Sequence, residues 1–246
     1  MNNFDSNLLI PSISKKIDLY ADIKNLSEII EFRELNFIKG FTTNPTLIKK
    51  GGSKNYLEFI VEAVKSIGDL NISIEVIADD FDQMYLQAKK LSLISSKIYV
   101  KIPIYNSKHQ SSIPLIKRLI VEGCPINITA IFTLQQLEEI ANVVQYSSEV
   151  IVSIFAGRIA DTGIDPIPTM IHAVNLFKSF PKVKVLWASP REILNIIQAI
   201  ECECDIITAI PEILNKLDLF GKDLDQYSLE TVQMFYNDAT DSKFSL

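Results

Sequence analysis

Ile98-Tyr99-Val100-Lys101-Ile102-Pro103-Ile104 is an apolar stretch, rich in β-branched residues, that predicts a buried strand. Lys101 lies in its middle. Burial disfavours the charged form of an amine, and a neutral lysine is a nucleophile that can form a Schiff base with a carbonyl group. The alternative is a structural lysine whose stem packs in the sheet while its amino group reaches water at the strand end.

Seven further runs of this kind predict strands, and they alternate with segments of helical spacing. The eight predicted strands are 17–22, 37–43, 72–78, 98–103, 125–132, 150–155, 183–188 and 205–208. Helical spacing is clear in 80–92, 134–145 and 190–199. This alternation is typical of βαβ units and predicts a parallel sheet.

Eight strand–helix units in 246 residues match the size of a (β/α)₈ barrel, the TIM barrel. A doubly wound open sheet is the alternative, but no Gly-x-Gly-x-x-Gly turn marks a dinucleotide site. We predict an α/β protein with one barrel domain over residues 1–246, in which 1–16 are an N-terminal extension. Residues 226–239 predict an additional C-terminal helix, which could pack on the barrel or on a neighbouring subunit.

The composition favours small-molecule partners. Hydrophobic residues make up 48% of the chain, and the net charge of -6 argues against a nucleic-acid or anionic-membrane surface, because either needs a basic face. No apolar run approaches the length of a membrane span, and the N-terminal residues lack the layout of a signal peptide. Three cysteines fit a reducing compartment, so we predict a cytoplasmic protein.

Polar residues gather at the carboxyl ends of the predicted strands, where such barrels have their active sites. They are Asp22, Thr42, Thr43, Asn44, Glu75, Lys101, Asn127 and Thr129. Asn127 and Thr129 are two apart on one strand and share a face, and Glu75 points where Lys101 points if both face the lumen. Asp22 and Asn44 could each be a helix cap, but the set together suits a site better. A lysine and two carboxylates supply a nucleophile and candidate proton carriers.

A second group of residues predicts a phosphate site. Ser189-Pro190-Arg191-Glu192 follows the seventh strand, and Arg158 lies just beyond the sixth. The Ser-x-x-Glu spacing, with proline at the first helical position, is also a helix capping box. Free N–H groups at a helix N-terminus, together with two arginines and a serine hydroxyl, would bind a phosphate, and the late strands of barrels often hold one.

Metal chemistry is not predicted. The chain has only His109 and His172, no His-Glu-x-x-His motif and no P-loop, and the pair Cys202 and Cys204 lacks further ligands. Without a metal, cleavage of a carbon–carbon bond next to a carbonyl relies on an amine as the electron sink. Lys101 can act in this way, so no cofactor is predicted.

The stretch Gly40-Phe41-Thr42-Thr43-Asn44-Pro45 resembles the Gly-x-Thr-Thr-Asn-Pro signature of transaldolases. The resemblance continues, in chain order and over about residues 17–219, through Ile74-Glu75-Val76, Val100-Lys101-Ile102-Pro103, Asn127-Ile128-Thr129, Phe155-Ala156-Gly157-Arg158 and Ala188-Ser189-Pro190-Arg191. The short chain resembles the branch that also contains fructose-6-phosphate aldolase. This resemblance implies a homo-oligomer, a pentamer or decamer, in which the C-terminal helix reaches a neighbour.

The resemblance also implies roles for the site residues. Lys101 would attack the ketone carbon of a ketose phosphate, and Asp22 would take the hydroxyl proton whose loss breaks the adjacent carbon–carbon bond. Glu75, with Thr129 and a water molecule, would move protons during imine formation. The implied substrate-binding residues are Thr43, Asn44, Asn127 and Phe155, with Arg158, Ser189 and Arg191 for the phosphate.

Two positions favour one activity of this family over the other. Transaldolases resemble this chain in having Glu at the place of Glu75 and Phe at the place of Phe155, where the aldolase has Gln and Tyr. A tyrosine hydroxyl can help to protonate the enamine intermediate, and phenylalanine cannot. We therefore favour a transaldolase of the pentose phosphate pathway, with fructose-6-phosphate aldolase or a non-catalytic sugar-phosphate-binding barrel as alternatives. Tyr105-Asn106-Ser107-Lys108 and Ile154 depart from the family pattern and bear on acceptor specificity.

Overall fold

Eight parallel strands close into a barrel in the computed structural model, which describes residues 12–145 and 149–242. Neighbouring strands pair in chain order, and β8 pairs with β1 to complete the ring. The strands are β1 (Asp18–Asp22), β2 (Ile38–Thr42), β3 (Asn71–Glu75), β4 (Ile98–Pro103), β5 (Ile126–Ile131), β6 (Val150–Ile154), β7 (Val183–Trp187) and β8 (Ile206–Ala209). The prediction of a (β/α)₈ barrel is confirmed.

Helices in the described residues surround this barrel and follow the strands along the chain. They are α1 (Leu26–Arg33), α2 (Pro45–Lys50), α3 (Tyr56–Ser66), α4 (Phe81–Ile94), α5 (Ile113–Val121), α6 (Leu134–Ala141), α7 (Ala156–Asp161), α8 (Ile167–Phe177), α9 (Leu194–Glu201), α10 (Pro211–Leu214) and α11 (Leu224–Asp241), with a 3-10 helix at Leu217–Leu219. The additional C-terminal helix is thus present as α11. Residues 1–11 of the predicted N-terminal extension lie outside the described residues.

The alternation of side chains along each strand separates two apolar regions. On β3, Ile72 and Ile74 are fully buried in the large core between strands and helices, while Ser73 and Glu75 alternate with them and point into the lumen. A smaller cluster, which includes Tyr20, Ile151, Leu186 and Ile206, fills the lumen itself. A filled lumen is usual in such barrels, and it leaves only the carboxyl-end mouth for a site.

The predicted helix 134–145 ends at Ala141, and two further predicted boundaries are wrong for one shared physical reason. The predicted strand 72–78 ends at Glu75, because the Gln87 side chain accepts hydrogen bonds from Ile77 N and Ala78 N in place of a strand partner. The predicted helix 190–199 begins at Leu194, because Asn195 Oδ1 accepts hydrogen bonds from the N–H groups of Arg191 and Glu192. In both places a side chain accepts hydrogen bonds from backbone N–H groups that would otherwise have bonded within the strand or the helix.

Among the helices of the described part of the chain, none is both long and apolar enough to cross a membrane.

Candidate active site

Lys101 projects from β4 into the carboxyl-end mouth of the lumen and is only 6% exposed. Its Nζ donates a hydrogen bond to the Thr43 carbonyl oxygen at 3.0 Å and lies 3.8 Å from Glu75 Oε2. The β3–β4 register pairs Glu75 with Lys101, so both side chains leave the sheet at the same level. The amine is therefore shielded from bulk water and fixed between a carbonyl oxygen and a carboxylate.

Two carboxyl groups at this mouth bind protons more readily than ordinary carboxyls. Burial raises the pKa of Asp22, although Lys101 and a hydrogen bond from Thr42 Oγ1 at 2.7 Å act against the rise. Burial likewise raises the pKa of Glu75, with Lys101 lowering it and Asp22 adding to the rise. A carboxyl group with a raised pKa can exchange a proton closer to neutral pH, which suits general acid–base catalysis.

A cavity of about 120 Å³ opens beside Lys101. Nine of the residues that the sequence predicts for the site line it: Asp22, Thr42, Asn44, Lys101, Thr129, Phe155, Arg158, Ser189 and Arg191. The predicted catalytic end and the predicted phosphate end therefore belong to one cavity.

Three predicted residues do not line this cavity. Glu75 contacts Lys101 from the neighbouring strand, and its backbone carbonyl oxygen accepts a hydrogen bond from Tyr56 Oη of α3. Thr43 meets Lys101 through its backbone carbonyl, and its hydroxyl donates to Ile23 O. Asn127 is fully buried next to Lys101 on β5. Its amide group donates to Ser73 Oγ and accepts from Ser153 Oγ, so its contacts in this structure hold the lumen together.

Two lining residues have polar groups that are open to a ligand. The Thr129 hydroxyl is buried and has no hydrogen-bond partner among the described residues. An unpaired buried hydroxyl is costly, and a sugar hydroxyl in the cavity would relieve that cost. Asn44 caps α2 by accepting from Leu47 N at 3.0 Å, which leaves its amide nitrogen for a ligand. The cap and the site are thus compatible uses of the same side chain.

The end of the cavity that the sequence predicts to bind phosphate is built differently from the predicted helix N-terminus. Ser189 has a left-handed backbone (φ 62°), and the N–H groups of Arg191 and Glu192 bind Asn195. The Arg191 side chain forms a two-bond ion pair with Asp161, and Arg158 lies 5.2 Å from the centroid of the Phe155 ring. An incoming phosphate would have to share Arg191 with Asp161, which is feasible because exposed ion pairs are weak.

Sequence reasoning left two cavity hydroxyls out of the predicted site: Ser153 and Thr208. Each is a short polar residue in an otherwise apolar strand end. Thr208 follows Ile206 at a spacing of two, so a lumen-facing hydroxyl at the end of β8 was a detectable signal.

The closed barrel and its lysine–carboxylate cavity are those of an aldolase-type (β/α)₈ enzyme. Residues 19–246 match the family described as transaldolase/fructose-6-phosphate aldolase. The chain belongs to this family.

Individual relatives agree with this assignment. A protein of Nitrosopumilus maritimus named "Probable transaldolase" is 31% identical over 203 residues, which are 81% of this chain and 86% of that protein. A protein of Thermoplasma volcanium with the same name is 33% identical over 193 residues, 77% of this chain and 82% of that protein. The solved dihydrodipicolinate synthase of Bacillus anthracis has a TM-score of 0.55 at 10% identity, covers 92% of this chain and 78% of its own, and is similar in fold alone.

Proposed function

We propose that this protein is a transaldolase, which transfers a dihydroxyacetone unit from a ketose phosphate to an aldose phosphate through a Schiff base on Lys101. The observation that carries the proposal is the placement of the Lys101 amine, buried and 3.8 Å from Glu75, in one cavity with Asp22 and two arginines. Sugar phosphates are anionic carbonyl compounds, and this cavity offers an amine for the carbonyl carbon and guanidinium groups for the phosphate.

The reaction uses the two carboxyl groups in turn. Lys101 Nζ adds to the ketone carbon of the donor, and loss of water gives the iminium ion. Glu75, together with the unpaired hydroxyl of Thr129, carries protons for the addition and dehydration. Asp22 then takes the proton of the hydroxyl group on the β-carbon, which is the second carbon from the iminium carbon, and the bond between the α- and β-carbons breaks. Its electron pair enters the iminium group and leaves a three-carbon enamine on Lys101.

Transfer is completed by the reverse sequence. The enamine carbon attacks the aldehyde carbon of the acceptor, and Asp22 returns the proton to the new hydroxyl group. Water then hydrolyses the imine and frees Lys101. Asn44, with its available amide nitrogen, is assigned to the hydroxyls of the three-carbon unit, and we keep Thr43 and Asn127 as further candidates for these contacts. Arg158, Ser189 and Arg191 are assigned to the phosphate group.

Borohydride trapping tests this function directly. The protein is incubated with fructose 6-phosphate, reduced with borohydride and digested, and the peptide that contains Lys101 is weighed by mass spectrometry. We expect a stable three-carbon adduct on Lys101. An unmodified Lys101 under conditions in which the sugar binds would contradict the proposal and favour a non-catalytic sugar-phosphate-binding barrel.

The Phe155 side chain supports transfer over release of dihydroxyacetone. Its ring lines the cavity and packs against Phe132, with 5.7 Å between the ring centroids, and it has no group that could protonate the enamine. A fructose-6-phosphate aldolase needs that protonation step. We therefore expect dihydroxyacetone release from fructose 6-phosphate to be very slow in the absence of an aldose phosphate.

A Phe155→Tyr substitution is expected to raise dihydroxyacetone release about tenfold or more, since a positioned proton donor speeds a protonation step by 10² or more in favourable cases. Enzymatic measurement of free dihydroxyacetone, with and without acceptor, checks this result. Phe132→Tyr is the matched control, because this neighbouring ring is outside the cavity lining. Equal release by the two variants would count against the role given to Phe155.

We further propose that the protein is a cytoplasmic homo-oligomer, a pentamer or decamer. Within the described chain, α11 buries none of its residues, yet it exposes Leu229, Val232, Phe235 and Tyr236. Such a surface is expected to pack on a neighbouring subunit. Light scattering should give five or ten times the mass of one chain, and a truncation after Lys222 should reduce it. A monomeric full-length protein would contradict the assembly.

The three buried free cysteines fit a reducing compartment, and cell fractionation checks the location.

A further inference from the structure

A chain of hydrogen bonds at the mouth of the barrel connects three neighbouring strands, β8, β2 and β1, and ends at Asp22. Thr42 Oγ1, from β2, donates to Asp22 Oδ1 at 2.7 Å. Thr208 Oγ1, from β8, lies 2.5 Å from Thr42 Oγ1 on its other side. Both threonines are buried, at 2% and 6% exposure, and both line the cavity together with Asp22.

The directions of these bonds follow from a count of hydrogen atoms. A hydroxyl group has one hydrogen to donate, and an ionised carboxylate can only accept. When Asp22 is ionised, Thr42 donates to it, so the hydrogen between the two threonines must come from Thr208. When Asp22 carries a proton, it can donate to Thr42, and Thr42 can then donate to Thr208. Rotation of two hydroxyl groups therefore satisfies Asp22 in both of its protonation states.

We propose that Thr208 is a positioning residue for Asp22, whose hydroxyl supports the carboxylate through Thr42 and reverses its bond when Asp22 accepts a proton. The part of Thr208 in catalysis rests on the proposed function, whereas its effect on Asp22 does not. Thr208 acts through Thr42 and needs no contact with the reacting atoms. Buried hydrogen bonds polarise one another, so the bond that Thr208 donates to Thr42 strengthens the bond that Thr42 donates to Asp22. The Asp22 carboxylate is stabilised as a result.

Other charged groups also face Asp22, and they influence its pKa independently of Thr208. Lys101 favours the ionised form, while Glu75 and Glu28 disfavour it. Glu28 is itself paired with Lys24. Arg158 and Arg191 lie farther along the same cavity. A substitution at Thr208 leaves all of these charges in place, so a change in the behaviour of Asp22 reports the hydroxyl alone.

Thr208→Val tests this inference, because valine keeps the shape of threonine and removes the hydroxyl. In the substrate-free protein, ¹³C NMR should show the pKa of Asp22 raised above that in the original protein, since the carboxylate loses part of its hydrogen-bond support. With substrates, kcat should fall about threefold to tenfold, its acidic limb should move to higher pH, and KM should change little. Thr208→Ser restores the hydroxyl and should return both the pKa and kcat toward their original values.

Ser153→Ala is the matched control for the titration. It removes another cavity hydroxyl, one that donates to Asn127 and not to the chain that ends at Asp22, so the pKa of Asp22 should stay unchanged. An Asp22 titration that is the same in Thr208→Val and in the original protein overturns the inference, as does a Thr208→Ser variant that behaves like Thr208→Val. A shifted titration in a protein that transfers no sugar would support the role of Thr208 while rejecting the proposed function.

Discussion

Replacement of Lys101 with methionine is expected to lower kcat for transfer by about 10⁴-fold or more, since the covalent route depends on the amine. Methionine is similar in length and apolar, so it fits a site that is 6% exposed. The change removes the positive charge that lowers the pKa of Glu75, while burial, which raises this pKa, remains. Glu75 should therefore take up a proton. The barrel should therefore fold, and Arg158 and Arg191 should still bind phosphate.

Three measurements check the Lys101→Met result: the rate of transfer, adduct formation after borohydride treatment, and the shift in melting temperature caused by fructose 6-phosphate. Lys97→Met is the matched control. Lys97 lies on the same segment of chain, but it is partly exposed and bonds to the Gly68 carbonyl oxygen and to Asp69 outside the cavity. Transfer at an appreciable rate by Lys101→Met, or its loss in Lys97→Met, would contradict the assignment of the nucleophile.

Local sequence pattern was sufficient for the barrel and for the part of the site on individual strand ends. The bounds of β4 were predicted correctly because Ile98, Val100 and Ile102 give the strand one fully apolar face and the strand ends at Pro103. Glu75 and Lys101 could be placed together because strand alternation fixes the face of each side chain and parallel register aligns neighbouring strands. These inferences need only a few residues of context.

Individual side-chain contacts, both local and long-range, were beyond such reasoning. The start of α9 is decided by Asn195, whose side chain occupies backbone groups that a capping box would have left for Ser189. The pairing of Arg191 with Asp161 depends on where α7 ends, and no sequence spacing predicts this pair. Thr208 reaches Thr42 only because the last strand closes on the first. The residues that adjust the candidate site were therefore harder to predict than those that carry its chemistry.

A substitution at Gly157 is expected to have the second large effect, on both stability and binding. A Cβ atom at this position would lie 1.5 Å from the Ser189 carbonyl oxygen and 2.6 Å from its carbonyl carbon. Neither backbone segment can move away easily, because Gly157 is the second residue of α7 and Ser189 already has a left-handed backbone. Gly157→Ala should lower the free energy of unfolding by about 3 kcal/mol, which is the upper end of the usual range for overpacked sites in cores.

Urea denaturation of Gly157→Ala and of Gly163→Ala separates this contact from general effects of glycine. Gly163 lies just after α7, has φ +81° and has no neighbour within 4 Å of an added Cβ. Its replacement should therefore lower the free energy of unfolding by only about 1 kcal/mol, which is the cost of the left-handed backbone. Gly157→Ala must also push apart the segments that carry Arg158 and Arg191, so its KM for fructose 6-phosphate should rise more than its KM for an unphosphorylated ketose. If both variants lost the same stability, or if KM rose equally for both sugars, the close approach at Gly157 would not be what shapes the phosphate end of the cavity.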